Sequence, residues 1–289
     1  MSTPNPSRVP MIQQRLDAYQ CRTAIEEEHA IREITQEIVL AALGRGPFFK
    51  HALFQGGTCL RIFYGMNRFS EDLDFILREP DPDFQLREHL QNLTEELAAF
   101  GYQIEITDRA KAGMAVQTAF VKDSSLGKLL QLQQADRTGP LRKIRIKLEV
   151  DTNPPAASGA TLEYLDFPFV SAVATQDIPS LFAGKLHALL CRKQIKGRDW
   201  YDFIWYTARK AALNEAFLGA AIDQVGPWRG KSIPMDKKWA VKALEKKIKS
   251  IDWKQAANDA MPFVRANEQP SLALWSQEFF LRQLHKWAG

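Results

Sequence analysis

The stretch that decides the fold is FQGGTCLRIFYGMNRFSEDLDF, residues 54–75. It begins at the end of a short apolar run, residues 52–54, which predicts a buried strand that turns at the glycine pair Gly56-Gly57. It ends in a second apolar run, residues 73–77, which predicts another strand. Between the two strands, residues 59–64 are predicted to form a short helix with Thr58 as its N-cap.

The carboxylates of Asp72 and Asp74 carry the chemical prediction. Side chains alternate along a strand, so these two share one face while Leu73 and Phe75 occupy the other. Two carboxylates this close repel each other unless a cation lies between them. Mg²⁺ accepts such oxygen ligands and keeps sites for water and phosphate. An Asp-x-Asp triplet also arises by chance, but its place in a strand after a glycine pair, whose amides can approach a phosphate, favours a metal and phosphate site.

A third carboxylate would complete a two-metal site, and residues 143–150 offer candidates. Apolar and polar residues alternate there, which predicts a strand with Glu149 and Asp151 on its polar face. The alternative is a solvent-facing edge strand whose charges have no function. Arg145 and Lys147 share the same face and fit that alternative, so the residues alone leave both open.

A second group of charges is predicted on two helices near residues 179–192 and 198–213. Lys185 and Arg192 are seven residues apart, so they share one helical face and could bind nucleotide phosphates. The alternative is a solvated helix face. Asp199 lies in the first turn of the second helix, where a carboxylate suits the helix dipole. Arg198 and Asp202 could form an i, i+4 pair, or a buried aspartate could orient Lys185.

Composition indicates an ordinary globular protein of 289 residues, with 45% hydrophobic and 25% charged residues. These values exclude collagen-like and wholly disordered chains. Three separated cysteines argue against a disulfide framework or a zinc knuckle. The polar N-terminal segment lacks the apolar core of a signal peptide, and no apolar run approaches the ~18 residues of a membrane span. The sequence therefore predicts a soluble cytoplasmic protein without a membrane partner.

The net charge of +4 conceals an uneven distribution. Residues 229–254 contain nine Lys or Arg and three Asp or Glu, a local net charge of +6. A local basic patch suits a polyanionic partner such as RNA, although a solvated helix face fits the same pattern.

The order of the predicted elements divides the chain into a mixed half and a helical half. A loose arm is predicted at residues 1–9, helices at 10–43 and 83–100, and strands at 102–107, 115–121 and 143–150. Glu26, Glu27 and Glu28 are predicted to face water. All seven tryptophans lie at or beyond Trp200, where helices predominate. This pattern predicts an α/β (α+β) sheet-based core over residues 1–165, with an N-terminal helical arm, and a helical C-terminal domain over residues 166–289.

Four separated motifs, in order, resemble those of the AbiEii/AbiGii (MenA-type) toxin family of nucleotidyltransferases. They are Gly56-Gly57-Thr58-x-Leu60-Arg61, Arg68-Phe69-Ser70-Glu71-Asp72-Leu73-Asp74-Phe75, Lys185-x-x-Ala188-Leu189-x-x-Arg192 and Arg198-Asp199-x-Tyr201-Asp202. The resemblance implies a polymerase-β-like nucleotidyltransferase core sheet, an NTP substrate and Mg²⁺ or Mn²⁺ as cofactor.

The resemblance also implies roles for individual residues. Asp72 and Asp74 are the implied metal ligands. The implied catalytic residues are Asp72, Asp74, Lys185, Asp199, Asp202 and Glu149, with Asp151 as the alternative to Glu149. The implied nucleotide-binding residues are Gly56, Gly57, Thr58, Arg68, Ser70, Lys185 and Arg192.

The implied biology is a toxin–antitoxin or phage-defence system with a separate antitoxin protein. Some members of the family add nucleotides to the 3′ end of tRNA, so the expected acceptor is RNA, with tRNA foremost. Two alternatives stay open. The enzyme could modify a protein or small-molecule hydroxyl, or the chain could be a catalytically silent protein that binds RNA or a partner.

Overall fold

The computed structural model describes residues 9–91, 93–108, 115–123, 130, 132 and 144–289. The chain forms two compact units. The first comprises the residues up to Gly65, Phe69–Pro154 and Leu162–Thr175, and the second comprises Met66–Arg68, Pro155–Thr161 and Gln176–Gly289. The prediction of two continuous domains, 1–165 and 166–289, stays a prediction. The predicted loose arm lies outside the described residues except for Val9.

The described strands form a seven-stranded sheet in the order β3-β4-β5-β2-β1-β7-β6. The strands are β1 (Ala52–Gln55), β2 (Asp72–Leu77), β3 (Ile104–Asp108), β4 (Val116–Asp123), β5 (Ile144–Asp151), β6 (Ala160–Leu165) and β7 (Ser171–Gln176). The accompanying helices are α1 (Val9–Ala18), α2 (Ala24–Arg45), α3 (Phe48–His51), α4 (Gly56–Tyr64), α5 (Leu86–Leu90) and α6 (Leu93–Ala98). The predicted mixed α/β class is confirmed, but β6 and β7 were not predicted.

The single helix predicted at residues 10–43 is wrong. The chain leaves α1 at Gln20, whose φ is +49°, and α2 begins after Thr23, whose side chain accepts a hydrogen bond from the amide of Glu26 at 3.2 Å. The predicted exposure of the glutamate run is also wrong, since Glu27 is only 3% exposed. Helix α2 contacts α1, α6 and β5, so polar residues on several of its sides are buried.

The central strand of the sheet is β2. It pairs antiparallel with β1 and parallel with β5. Strand β5 in turn pairs with β4, so it lies inside the sheet and the edge-strand alternative is wrong. Its alternation is confirmed, since Ile146, Leu148 and Val150 are fully buried.

The second unit is helical, as predicted for this part of the chain. Its helices are α7 (Ile178–Cys191), α8 (Gly197–Ala208), α9 (Glu215–Gln224), α10 (Lys237–Ile248), α11 (Trp253–Ala260) and α12 (Gln277–Ala288), with short 3-10 segments at Met261–Phe263 and Gln269–Leu274. Side-chain caps start most of them; Asp177, for example, accepts from the amide of Ser180 at 2.9 Å. Helix α8 ends earlier than predicted because the chain turns at Lys210, whose φ is +51°.

Aromatic side chains fill the interior of the second unit. Trp200 packs edge-on against Trp253 and Phe280, and the rings of Trp253 and Phe280 stack with centroids 3.9 Å apart. This packing accounts for the tryptophan-rich composition of this part of the chain. Within the described part of the chain, no helix combines the length and apolarity needed to cross a membrane.

The crossing of α8 and α11 requires a glycine at position 197. A Cβ atom on Gly197 would lie 1.9 Å from the carbonyl oxygen of Ala256. The amide of Gly197 also donates to the carboxylate of Asp259 at 2.6 Å, so α11 satisfies the first amide of α8. The close approach therefore fixes the start of the helix that carries Asp199.

We expect Gly197→Ala to lower Tm by roughly 5 °C or more, because the two helix backbones must separate to admit the methyl group. Gly184→Ala is the matched control. It also lies in a helix of the second unit, and the nearest atom to its added Cβ, on Phe217, is 3.9 Å away. Thermal unfolding of both variants should show no loss for Gly184→Ala, and equal Tm values would contradict the packing account.

Candidate functional site

The two carboxylates at the start of β2 lie on one face, as predicted. Asp72 is the first residue of the strand, and both it and Asp74 are partly exposed. Leu73 and Phe75 point to the opposite face, where they are 0% and 1% exposed. The buried pair therefore holds the acidic pair at the surface of the sheet.

Strand register adds Glu149 to this face. Asp74 pairs with Gln55 of β1 on one side and with Glu149 of β5 on the other. Neighbouring strands are about 4.8 Å apart, and paired residues project to the same side. Asp151 is instead opposite Ile76, and its carboxylate accepts from the amide of Asn153 at 2.9 Å. Glu149 is therefore the residue of the two that adjoins Asp74.

Sequence reasoning missed the position of Lys147 next to Asp72 on the same face. It pairs with Asp72, and its Nζ lies 2.7 Å from Oε1 of Glu149. Alternation along β5 placed Lys147 beside Glu149, but only the parallel pairing with β2 brings it next to Asp72. Among the described residues, no three His, Cys, Asp or Glu side chains form a cluster that could hold a metal ion, so metal binding stays a prediction.

The glycine pair is the first turn of α4, which begins directly after β1. Gly56 has φ +81°, and a Cβ atom there would lie 2.6 Å from Oδ2 of Asp74. Gln55 occupies the N-cap position and makes no side-chain cap bond within the described structure. The first amides of a helix lack intrahelical acceptors and carry positive potential, so this end of α4 can receive an anion beside Asp74.

The predicted N-cap role of Thr58 is wrong, because Thr58 is the third residue of α4. Its side chain is fully buried, and its hydroxyl donates to the backbone carbonyl of Asp72 at 2.5 Å. Thr58 therefore ties the start of β2 to α4. Ser70 is partly exposed, and its carbonyl accepts from Nε2 of Gln36 at 3.3 Å.

The predicted second group of charges forms a continuous chain of ion pairs in the second unit. Arg68 donates to both oxygens of Asp202 at 2.6 and 2.7 Å. Lys185 Nζ lies 2.8 Å from Asp202 Oδ2 and 2.6 Å from Asp199 Oδ1. Arg192 bonds the other oxygen of Asp199. We name this series, Arg68–Asp202–Lys185–Asp199–Arg192, the ion-pair ladder.

The ion-pair ladder has a buried end at Arg68 and Asp202 and an exposed end at Arg192. The Asp202 side chain is 0% exposed, that of Lys185 is 12% exposed, and that of Arg192 is 47% exposed. Burial opposes the charge on Lys185, but Asp199 and Asp202 outweigh it and raise the lysine pKa. Burial would likewise raise the pKa of Asp199, but Lys185 and Arg192 lower it to about 2. Lys185 and Asp199 are therefore both charged at neutral pH.

The structure bears on two expectations for this region, one for Arg198 and one for Arg68. Arg198 does not pair with Asp202 as an i, i+4 neighbour; its guanidinium lies over the Phe263 ring at 4.1 Å, while Asp202 holds Arg68 and Lys185. Arg68, which the resemblance assigns to the nucleotide, is 3% exposed and donates to Asp202, so its contact with a nucleotide stays a prediction. The sequence separation of 134 positions between Arg68 and Asp202 explains why sequence periodicity could not reveal this contact.

The sequence model of one protein family, the nucleotidyl transferase AbiEii toxin of type IV toxin–antitoxin systems, matches residues 38–282. Among solved structures, JHP933 from Helicobacter pylori aligns at 17% identity over 91% of this chain and 90% of its own, with a TM-score of 0.50. MenT4, a nucleotidyltransferase toxin from Mycobacterium tuberculosis H37Rv, aligns at 17% identity over 94% and 98% of the two chains, with a TM-score of 0.49. Comparison with curated proteins gave no match.

We expect Gly56→Ala to destabilise the protein more than Gly65→Ala. Both glycines have positive φ, at +81° and +68°, but only at Gly56 would the added methyl meet another group, the Asp74 carboxylate. In both variants, placing an alanine at a positive φ destabilises the folded protein by about 1–2 kcal/mol. Measured in an Asp74→Ala background, the cost of Gly56→Ala should fall, whereas that of Gly65→Ala should stay constant. Unchanged costs for Gly56→Ala in the two backgrounds would disprove the contact.

We expect Arg68→Met to lower the free energy of unfolding by about 3–5 kcal/mol, because it strips the buried Asp202 of two charged hydrogen bonds. Arg68→Lys should fall between wild type and Arg68→Met, since lysine keeps the charge but not the two-pronged geometry. Arg282→Met is the control: its ion pair with Glu278 is exposed and worth at most about 1 kcal/mol. Urea unfolding tests the order, and equal midpoints for Arg68→Met and Arg282→Met would refute it.

Proposed function

Because the chain belongs to the nucleotidyl transferase AbiEii toxin family of type IV toxin–antitoxin systems, we propose that it transfers a nucleotide from an NTP to an RNA hydroxyl, with the 3′ end of tRNA as the acceptor. Family membership makes the protein a nucleotidyltransferase and implies an antitoxin partner and an NTP substrate. The observation that carries the proposal is the position of the acidic pair, Asp72 and Asp74, beside the first turn of α4, which has no side-chain cap.

We propose that Asp72 and Asp74 hold Mg²⁺ or Mn²⁺. The donor set fits, because two carboxylates on one sheet face supply hard oxygen ligands, and Mg²⁺ usually takes few protein ligands while retaining water and phosphate. A bound ion would neutralise charge on the triphosphate and make the attacking hydroxyl more acidic. Glu149 is the proposed third carboxylate, since it adjoins Asp74; its contact with Lys147 places a positive charge at the same face.

The start of α4 is the proposed phosphate site of the first unit. The amides of Gly56 and Gly57 lie in the first turn, where helix geometry leaves donors for an anion. The Thr58 hydroxyl is already used by the carbonyl of Asp72, so Thr58 supports the site through β2. Ser70 precedes β2 by two residues and stays a proposed nucleotide contact.

The ion-pair ladder is the proposed cationic site of the second unit. Lys185 supplies a positive charge that attracts a phosphate, and Asp199 and Asp202 orient its ammonium group. Arg192 is the most exposed cation of the ladder and the proposed direct contact. Arg68 acts through Asp202, because its guanidinium faces that carboxylate in the protein interior.

The local excess of positive charge supports RNA as the acceptor over the alternative, a protein or small-molecule hydroxyl. Residues 229–254 carry a net charge of +6 within a chain of net +4. A polyanionic acceptor benefits from such a patch, whereas a small neutral acceptor does not.

Incubation with radiolabelled NTPs, total RNA and cell protein tests the proposal. We expect label in tRNA for the wild type and a loss of roughly 100-fold or more for Asp74→Asn, which keeps the shape of the side chain but removes its charge. Asp83→Asn is the control, since Asp83 is exposed and lies in a turn after β2. Label that enters protein while tRNA stays unlabelled would overturn the acceptor, and full activity of Asp74→Asn would overturn the site.

A further inference from the structure

Helix α10 presents one apolar and one basic face. Ala240, Leu244 and Ile248 recur every four residues and are fully buried. Lys238, Lys242 and Lys246 recur with the same spacing on a different side of the helix, and all three are exposed. We name these three lysines the lysine stripe. At 1.5 Å per residue it extends about 12 Å.

The acidic residues of the surrounding segment make their hydrogen bonds and ion pairs with groups outside the lysine stripe. Asp236 caps α10 by accepting from the amide of Trp239 at 2.7 Å, and Asp252 caps α11 by accepting from Gln255 at 3.0 Å. Glu245 lies 2.8 Å from Nε2 of His285. Of the carboxylates that the structure describes, none forms an ion pair with the lysine stripe.

The same helix adjoins the exposed end of the ion-pair ladder. Lys247 Nζ donates to the backbone carbonyl of Arg192 at 3.1 Å, so the C-terminal part of α10 lies against the end of α7. Both elements belong to the second unit. Positive side chains therefore continue from Arg192 onto the surface of α10.

We propose that the lysine stripe is a docking surface for the sugar–phosphate backbone of RNA. Over about 12 Å, one strand of a nucleic acid presents three to four phosphates, taking about 3.4 Å of axis for each, so every lysine can face one. The contact reads no sequence, since phosphates are the same at every nucleotide. This inference rests on the proposed function for the identity of the acceptor, and the surface adds to that function a means of holding RNA.

The composition of the surface favours RNA over an acidic protein. Lysine is depleted at protein interfaces, whose centres are rich in apolar and aromatic residues. Among the described residues, the large apolar side chains that are exposed all lie outside α10. A face with lysines and no exposed apolar centre suits phosphates, where charge supplies the affinity.

Binding of fluorescein-labelled total tRNA, followed by anisotropy over a range of NaCl concentrations, tests the surface independently of catalysis. The test variant is Lys238→Gln/Lys242→Gln/Lys246→Gln, in which glutamine preserves helix propensity. The control variant, Lys50→Gln/Arg87→Gln/Lys210→Gln, also loses three exposed positive charges, all outside residues 229–254. Labelled poly-glutamate serves as the acidic-protein probe.

We expect the test variant to bind tRNA at least about tenfold more weakly and to reduce the slope of log K against log[NaCl] by about 2 to 3. The control should match the wild type. In the transfer assay the test variant should raise the KM for RNA and leave the KM for NTP and the kcat at saturating RNA unchanged.

The outcomes separate this inference from the proposed function. Equal salt slopes and equal KM values for the two triple variants would overturn the docking surface while the transfer to RNA stands. Loss of poly-glutamate binding with intact tRNA binding would overturn it in favour of a protein partner. If the wild type labels no RNA but the test variant still loses tRNA binding, the docking surface stands and the proposed acceptor fails.

Discussion

The register of β2 is the constraint on which the rest of the sheet face depends. Leu73 and Phe75 must be buried, so Asp72 and Asp74 must point away from them. A slip of one residue would move both carboxylates into the core, where each unpaired charge costs several kcal/mol. With this register fixed, β1 and β5 place Gln55 and Glu149 on either side of Asp74, and α4 begins at Gly56, where only a glycine leaves room for that carboxylate.

The ion-pair ladder holds the ammonium group of Lys185 largely away from water. Asp202 alone would be a buried charge, and Arg68 alone another; each is tolerated because the other neutralises it with two hydrogen bonds. Lys185 then rests between Asp202 and Asp199. Three cations and two carboxylates leave one positive charge in excess, and the exposure of Arg192 locates it at the accessible end. A buried ion pair adds little net stability, so such an arrangement is better explained by orientation than by folding.

Sequence periodicity identified the faces of β2 and β5, because the alternation of side chains is a property of one strand. It could not identify the neighbours of a strand, so it placed Lys147 beside Glu149 but not opposite Asp72, which follows from the parallel pairing of β5 with β2. The ladder shows the same limit: the sequence offers the orientation of Lys185 by a buried aspartate as one of two alternatives, whereas the contact of Arg68 with Asp202 arises only through the fold. The N-cap prediction for Thr58 is wrong because α4 begins at Gly56, two residues before Thr58. The positive φ of Gly56 could not be predicted from the sequence pattern.

The lysine stripe differs from an ordinary solvated helix face because its like charges destabilise the helix. Elsewhere, the exposed Arg282 pairs with Glu278 one helical turn away. Along α10, in contrast, Lys238, Lys242 and Lys246 place like charges at i, i+4, each pair costing about 0.2–0.5 kcal/mol. The helix folds in spite of this repulsion, because its apolar face is buried and Asp236 caps its start. The apolar packing of α10 does not involve the three lysines, which form no ion pair with a described carboxylate, and an anionic ligand that relieves their repulsion gives the arrangement a physical reason.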